Sequence, residues 1–354
     1  MMKCATRTVF ADKDFDGAIR DGADELKKGG LVVFPTETVY GLGANAFSPE
    51  AVKNIFLAKG RPQDNPLIVH IAETGQLDGI VAEVTDTARA LMKAFWPGPL
   101  SIIMKKAKAI PFEVSAGLET VAVRMPDNDI ARGIIALSAL PVAAPSANTS
   151  GKPSPTLAMH AYEDLCGRVP LIIDGGPCAI GVESTVVDAT GEVPVVLRPG
   201  DITPEMIAQA AGDVRVHPSV LGEIKQGEVC ASPGMKYKHY SPEAKVTVFT
   251  GGKKEVAKTV NTMYHNGKAQ GRKTAVLCLD DCANLYPDVR HIVCLGKDAR
   301  EAEAALFRVL REMDDQNFET VFFHAQEEKM GLAVMNRIIR AAGHEIISAK
   351  EEKV

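Results

Sequence analysis

No generic nucleotide loop is present: the chain contains neither GxxxxGK[ST] nor GxGxxG, which excludes the two commonest backbone cradles for phosphate. GxSxG is also missing, and with no credible Ser-His-Asp nucleophile, covalent hydrolase chemistry is set aside. There is no HExxH and no other compact metal-ligand cluster, so no resident metal is expected and any metal arrives with phosphates, which suits magnesium. A net charge of −5 does not describe a generic polyanion binder, and a basic site must therefore be local. The seven cysteines (4, 166, 178, 230, 278, 282 and 294) include no CxxC pair, a pattern expected of reduced thiols in the cytoplasm. Cys278 and Cys282 lack a matching second pair and read as buried strand and loop cysteines rather than zinc ligands. No signal-like segment opens the chain and no apolar run approaches the roughly 18 residues of a membrane span, so neither secretion nor membrane insertion is expected.

What is present is ordinary globular composition, 46% apolar and 24% charged over 354 residues, enough for two domains with separate cores. Across residues 1–217 strand and helix signals alternate irregularly. A helical period through Phe15, Ile19 and Leu26 stops at Gly29-Gly30, and Leu31–Phe34 follows as a buried strand. Ser48 and Pro49 start a second helix that Gly60 ends, before a strand at Leu67–Ile71. Further strands are expected at 100–104, 121–125, 142–144, 171–173, 185–187 and 195–197, with helices near 86–95, 128–138 and 203–211. After residue 169 the strands come too close together for repeated βαβ units, so part of this twisted mixed α/β sheet must be antiparallel. Residues 218–244 have the composition of a linker, yet Lys236, Tyr237, His239 and Tyr240 give it more aromatic and basic character than a passive spacer needs. In 245–354, five strands interleaved with helices describe a smaller, doubly wound, Rossmann-like parallel sheet. Gly251-Gly252 after its first strand reads as turn chemistry, because a third glycine and a ribose-binding acid are missing.

Two polar stretches, Lys59-Gly60-Arg61-Pro62 and Ser146-Ala147-Asn148-Thr149-Ser150-Gly151, each follow the end of an element. A lysine and an arginine beside a helix-ending glycine can meet an anion with little obstruction, and the hydroxyls and amides add neutral donors, so the pairing points to a phosphate-handling cleft. Taken alone, Lys59 and Arg61 are also what a helix C-terminus favours. Thr36, Glu37, Thr38 and Tyr40 stand among glycines after a buried strand, a recognition composition that a satisfied β-turn would share. Asn65 precedes, and His70 lies within, an apolar run where an unpaired imidazole is costly to bury. Arg124 and Arg198 project from strands that otherwise read as core, and a buried guanidinium needs an acid or a phosphate. For Arg124 that partner is an internal Asp127 or Asp174, or a ligand carboxylate; two such arginines favour an anionic ligand.

In combination, PTETVYGLG, AKGRPQDNPLIVHI, FWPGPLSIIM, VAVRMPDN, APSANTSGKPSPT, GVESTVVD and VLRPGDI, in this order, closely resemble the threonylcarbamoyl-AMP synthase family with its YrdC-like fold. The segment SPGMKYKHYSP and the C-terminal α/β unit resemble its longer, two-domain branch, so the likeness spans essentially the whole chain. The resemblance implies a transferase that combines L-threonine, bicarbonate or CO2, and ATP into threonylcarbamoyl-AMP and pyrophosphate, in a large basic concavity. Its product passes to a tRNA threonylcarbamoyl transferase complex, with weak RNA contact as a secondary expectation. It also implies that Thr38, His70, Arg124, the backbone of Ala144, and Ser184 surround threonine, with Arg124 on its carboxylate. Lys59, Arg61, Asn65, Thr120, Ser146, Ser154 and Arg198 match positions around ATP, and Lys59, Arg61 and Arg124 carry the chemistry. The linker residues Lys236, Tyr237, His239 and Tyr240 are expected to close as a lid over hydrolysable intermediates. Two other readings stay open: a non-enzymatic RNA-binding module, and a carbamoyltransferase of the hydrogenase-maturation type, whose acylphosphatase-like domain and zinc-finger cysteines are not visible in this sequence.

Overall fold

The computed structural model describes residues 4–222 and 240–349. These fall into two units, 4–150 with 154–222, and 151–153 with 240–349. In the first unit the strands are β1 Arg7–Phe10, β2 Val32–Phe34, β3 Gly41–Asn45, β4 Ile68–His70, β5 Leu100–Lys105 and β6 Thr120–Arg124. They continue as β7 Val142–Ala143, β8 Leu171–Asp174, β9 Thr185–Asp188, β10 Val195–Arg198 and β11 Arg215–Val216. All eleven join one sheet in the order β1-β8-β2-β3-β7-β4-β6-β5-β9-β10-β11. The pairs β2–β3, β3–β7, β7–β4, β5–β6 and β9–β10 are antiparallel and the others parallel, the mixture expected from the strand spacing.

Local chemistry explains the boundaries. Ser48 caps the helix Pro49–Lys59 by accepting from the Ala51 amide, and Gly60 ends it in the left-handed conformation (φ 63°) that a residue without Cβ enters freely. The strand β3 was not expected, because glycines at 41 and 43 weaken a strand signal. Its cause is close packing: a Cβ on Gly43 would stand 2.6 Å from both Phe34 Cε1 and Val142 Cγ1, so only glycine lets the neighbouring strands close.

The face of the central strands that carries Val69, Ile102, Val121, Val123, Val187 and Val196 forms part of the main core. The opposite face carries a small separate cluster, Ile68, Ile103, Ala122, Val186 and Leu197. Because side chains alternate along a strand, His70 shares this second face with Ile68, Thr120 and Arg124 with Ala122, Ser101 with Ile103, and Ser184 with Val186. A short oily floor ringed by polar groups results.

The second unit contains β12 Lys245–Gly251, β13 Thr274–Cys278, β14 Ile292–Cys294, β15 Thr320–His324 and β16 Ile346–Ala349, all parallel, in the order β14-β13-β15-β12-β16. The helix Lys253–Ala269 covers Phe249, Val276 and Phe322. The alternate residues Val248, Leu277 and Phe323 are also buried, as a sheet sandwiched between helices requires. Counted within this unit the strand order is third, second, fourth, first, fifth, which differs from the 3-2-1-4-5 order of dinucleotide-binding sheets. At Gly251 (φ 126°) a Cβ would stand 2.5 Å from the Ala349 carbonyl oxygen, so this glycine serves strand closure.

Candidate active site

Strand geometry places the two central candidates side by side. In the parallel pair β4–β6 the register partner of His70 is Arg124, so an imidazole and a guanidinium end adjacent strands on the polar-ringed face. His70 is 4% exposed, and burial, with the Arg124 charge second, lowers its pKa to about 3, leaving it neutral near pH 7. Its Nδ1 is buried and makes no aligned hydrogen bond among the described residues.

Arg124 corrects one expectation. Its guanidinium pairs with Glu37 rather than with Asp127 or Asp174: Nη2 lies 2.7 Å from Glu37 Oε1, with the two side chains 5% and 10% exposed. Asp127 faces Arg132 at 3.6 Å instead, and Asp174 lies 3.4 Å from the Tyr40 hydroxyl. Arg124 Nε also donates to the Gly98 carbonyl at 3.3 Å. The Glu37 pairing is a contact of charges without direction, since Nη2 and both Glu37 oxygens make no aligned hydrogen bond among the described residues. Next to this pair the Cys178 thiol is pushed up to about 12, chiefly by burial and partly by the Glu37 charge.

A second group forms where the two polar stretches meet. Lys59 Nζ donates to the carbonyl oxygens of Ser146 and Asn148, both at 2.5 Å, and Ser146 Oγ donates to Asn148 Oδ1 at 2.5 Å. The stretches are therefore neighbours, as their pairing suggested. The expected unobstructed ammonium is corrected, however: Lys59 is 2% exposed and holds a loop 87 residues away. Arg61 Nη2 donates to the Asn65 and Pro66 carbonyls at 3.3 and 3.2 Å. Asn65 is 1% exposed, and among the described residues neither its Nδ2 nor its Oδ1 has a hydrogen-bond partner.

The third group lies at the start of β9. Ser184 Oγ is 2.8 Å from Ser101 Oγ, and Arg198 Nη2 donates to Ser184 O and Oγ at 2.9 and 3.1 Å. A register shift between Val196 and Arg198 re-aims Arg198 onto Ser184, as β-bulges do. The Ser154 hydroxyl is engaged with Glu183. The backbone joins the groups: Gly98 N donates to Met125 O, Thr185 N to Pro99 O, and Ala147 N to Tyr40 O.

Thr38 is fully buried, its hydroxyl 2.9 Å from that of Thr36, and Thr120 lies at the start of β6 on the polar-ringed face. The Ala144 amide donates to Ile68 O and is thereby engaged within the sheet. Of the lid candidates, Lys236, Tyr237 and His239 lie outside the described residues. Tyr240 is 5% exposed and stacks on Phe307 (5.1 Å) within the second unit, so there it is packed as an anchor. Sequence reasoning missed Glu37 as Arg124's partner, and it missed Ser101 and Glu183. Only Glu37 carried a signal, an acid inside a polar segment directly after a buried strand.

Partly satisfied polar groups around an oily floor at strand ends are the setting of a small-molecule enzyme. A family model described as Telomere recombination matches residues 24–200, and one described as the C-terminal domain of threonylcarbamoyl-AMP synthase matches residues 202–343. Threonylcarbamoyl-AMP synthase of Pyrococcus abyssi is 47% identical over 330 residues, covering 93% of this chain and 95% of the relative. The Bacillus subtilis protein of the same name is 44% identical over 336 residues, covering 94% and 95%. A crystal structure of P. abyssi Sua5 complexed with L-threonine superposes with a TM-score of 0.91 at 44% identity, covering 98% of this chain and all of that one. The chain belongs to the two-domain threonylcarbamoyl-AMP synthase family: it is an enzyme, a nucleotidyl-type transferase of tRNA modification that uses ATP as substrate.

Proposed function

We propose that residues 1–217 form the catalytic domain and join L-threonine, bicarbonate or CO2, and ATP on the polar-ringed face, releasing pyrophosphate. The bound threonine ammonium first loses a proton to solvent. The free amine nitrogen then forms a bond to the carbon of CO2 as one C–O π bond opens, and loss of a second N–H proton leaves a carbamate. A carbamate oxygen then attacks the α-phosphorus as the bond to the pyrophosphate oxygen breaks. Such a displacement depends on positioning and charge stabilisation and needs no enzyme nucleophile. The observation that carries this reading is the set of buried, incompletely hydrogen-bonded groups: Asn65, His70 Nδ1 and Arg124 Nη2. Each lost hydration on folding and gains from a ligand that supplies the missing partner.

Arg124, with Thr38, neutral His70, the backbone of Ala144 and Ser184, receives threonine. Arg61, Asn65, Thr120, Ser146, Ser154 and Arg198 receive ATP, with magnesium arriving on the nucleotide. Lys59 acts on ATP through the loop it holds at Ser146 and Asn148. Residues 218–244 serve as linker and lid through Lys236, Tyr237 and His239, with Tyr240 as the anchored end, and 245–354 form a separate C-terminal domain. The enzyme works in the cytoplasm and passes its product to a tRNA threonylcarbamoyl transferase complex. The test is pyrophosphate release from ATP. It is expected only with both threonine and bicarbonate present, and release independent of either would overturn the reading.

A further inference from the structure

We propose that Glu37 is a specificity residue that binds the amino group of the amino-acid substrate, so that Glu37 and Arg124 together form a receptor for a zwitterion. The inference rests on the reading of the site given above. Its starting point is the pair itself: opposite charges 2.7 Å apart, 5% and 10% exposed, in which Nη2 and both carboxylate oxygens lack an aligned hydrogen bond among the described residues. A buried ion pair built for stability needs good geometry and further hydrogen bonds to offset its desolvation, and this pair lacks them at the facing atoms.

The backbone beneath Glu37 is fixed. Thr36 Oγ1 donates to Val39 O at 2.6 Å, and the Ile180 and Gly181 amides donate to Glu37 O and Thr38 O at 2.8 and 3.1 Å. The carboxylate is thus delivered to this place by a held loop.

Charge balance selects the ligand class. A simple carboxylate binding to Arg124 would stand beside Glu37 as a second anion, with nothing to compensate it, and like charges at such range repel. An α-amino acid removes the conflict, because its ammonium stands on Glu37 while its carboxylate stands on Arg124. The pair is thus complementary to a free amino acid and set against the hydroxy acid or plain acid of the same shape.

Isothermal titration of the full chain with L-threonine and with 3-hydroxybutanoate, which is threonine without its amino group, tests this. The wild-type chain is expected to prefer threonine by about 10- to 100-fold, the range of one charge-assisted contact. Glu37→Gln is expected to erase most of that preference by weakening threonine while leaving 3-hydroxybutanoate equal or tighter. Equal affinities in the wild-type chain would overturn the proposal without any variant, which covers the case of a variant that fails to fold. A folded Glu37→Gln that binds threonine normally, or that weakens both ligands alike, would overturn it too. Pyrophosphate release by the same wild-type sample separates the two readings. Release without amine preference removes Glu37's role alone, whereas amine preference without release removes the proposed reaction and leaves the receptor standing.

Discussion

Two buried histidines, one in each unit, end strands, titrate alike and differ in their hydrogen bonds. His70 ends β4 and His324 ends β15; they are 4% and 0% exposed. Burial is the main cause that lowers the first to about 3 and the second to about 4, and a nearby cation, Arg124 or Lys253, adds to it. By burial and titration they are twins. Yet His324 Nδ1 meets the Tyr286 hydroxyl at 2.6 Å and its Nε2 lies 3.8 Å from Cys282 Sγ, whereas His70 Nδ1 makes no aligned hydrogen bond among the described residues. The lesson is that a depressed pKa reports desolvation, while an unmet hydrogen bond reports a place kept for something else.

The sharpest way to break the comparison is at Arg124. Arg124→Ala is expected to lower pyrophosphate release by about 100- to 1,000-fold, the scale of truncating one partner of a buried charge pair. It leaves Glu37 buried without a counter-ion and is expected to destabilise the fold by about 3 kcal/mol in urea titration. Unchanged turnover would separate Arg124 from the site. The two histidines should then dissociate cleanly. His70→Ala is expected to slow turnover by roughly 10-fold or more and to cost less stability than His324→Ala, since both remove a buried ring but His70 Nδ1 makes no aligned hydrogen bond among the described residues. His324→Ala orphans the Tyr286 hydroxyl and should destabilise by about 2 kcal/mol with turnover per folded molecule unchanged. The reverse pattern in paired activity and denaturation assays would dissolve the distinction.

Much of this was legible in the chain, and what was not has physical causes. The helix at Pro49–Lys59 was marked by its cap, its proline and its glycine, which are local signals. Arg124 and Arg198 stood out because a strand alternates and a guanidinium breaks an apolar pattern. Glu37 could not be assigned to Arg124, because a loop has no period and the two are 87 positions apart in the chain. The Lys59 clamp on Ser146 and Asn148 is a tertiary fact of the same kind. The bulge that turns Arg198 onto Ser184 leaves no mark in residue type, and the glycines of β3 signalled a turn where they serve close strand approach.

Acid should act on both histidines alike, whatever their roles. Each binds a proton more readily unfolded, near 6.5, than folded, where the values are about 3 and 4. Their contribution to stability is therefore complete above about pH 6.5 and is lost progressively as pH falls toward those folded values. Urea midpoints measured from pH 7 to pH 5 should fall, and His324→Ala should flatten that fall from its own lower starting point. An equally steep fall in the variant would show that carboxylates dominate the acid response.

The smallest effect is expected where an ion pair looks best. Asp281 meets Lys329 at 2.6 Å and Lys253 at 2.9 Å, distances that match Glu37 on Arg124, and the two lysines hold its carboxyl well below the usual carboxylate range. These side chains are 39 to 55% exposed, however, so water and salt screen the attraction and the separated charges are well solvated. Asp281→Asn is expected to move the melting temperature by no more than about 2 °C and to leave turnover unchanged. Glu37→Gln alters a pair of the same length in a setting where neither charge has water to fall back on, and it should be felt in ligand choice. If Asp281→Asn proved the more damaging of the two, contact distance rather than burial and satisfaction would be the better guide to which charges matter here.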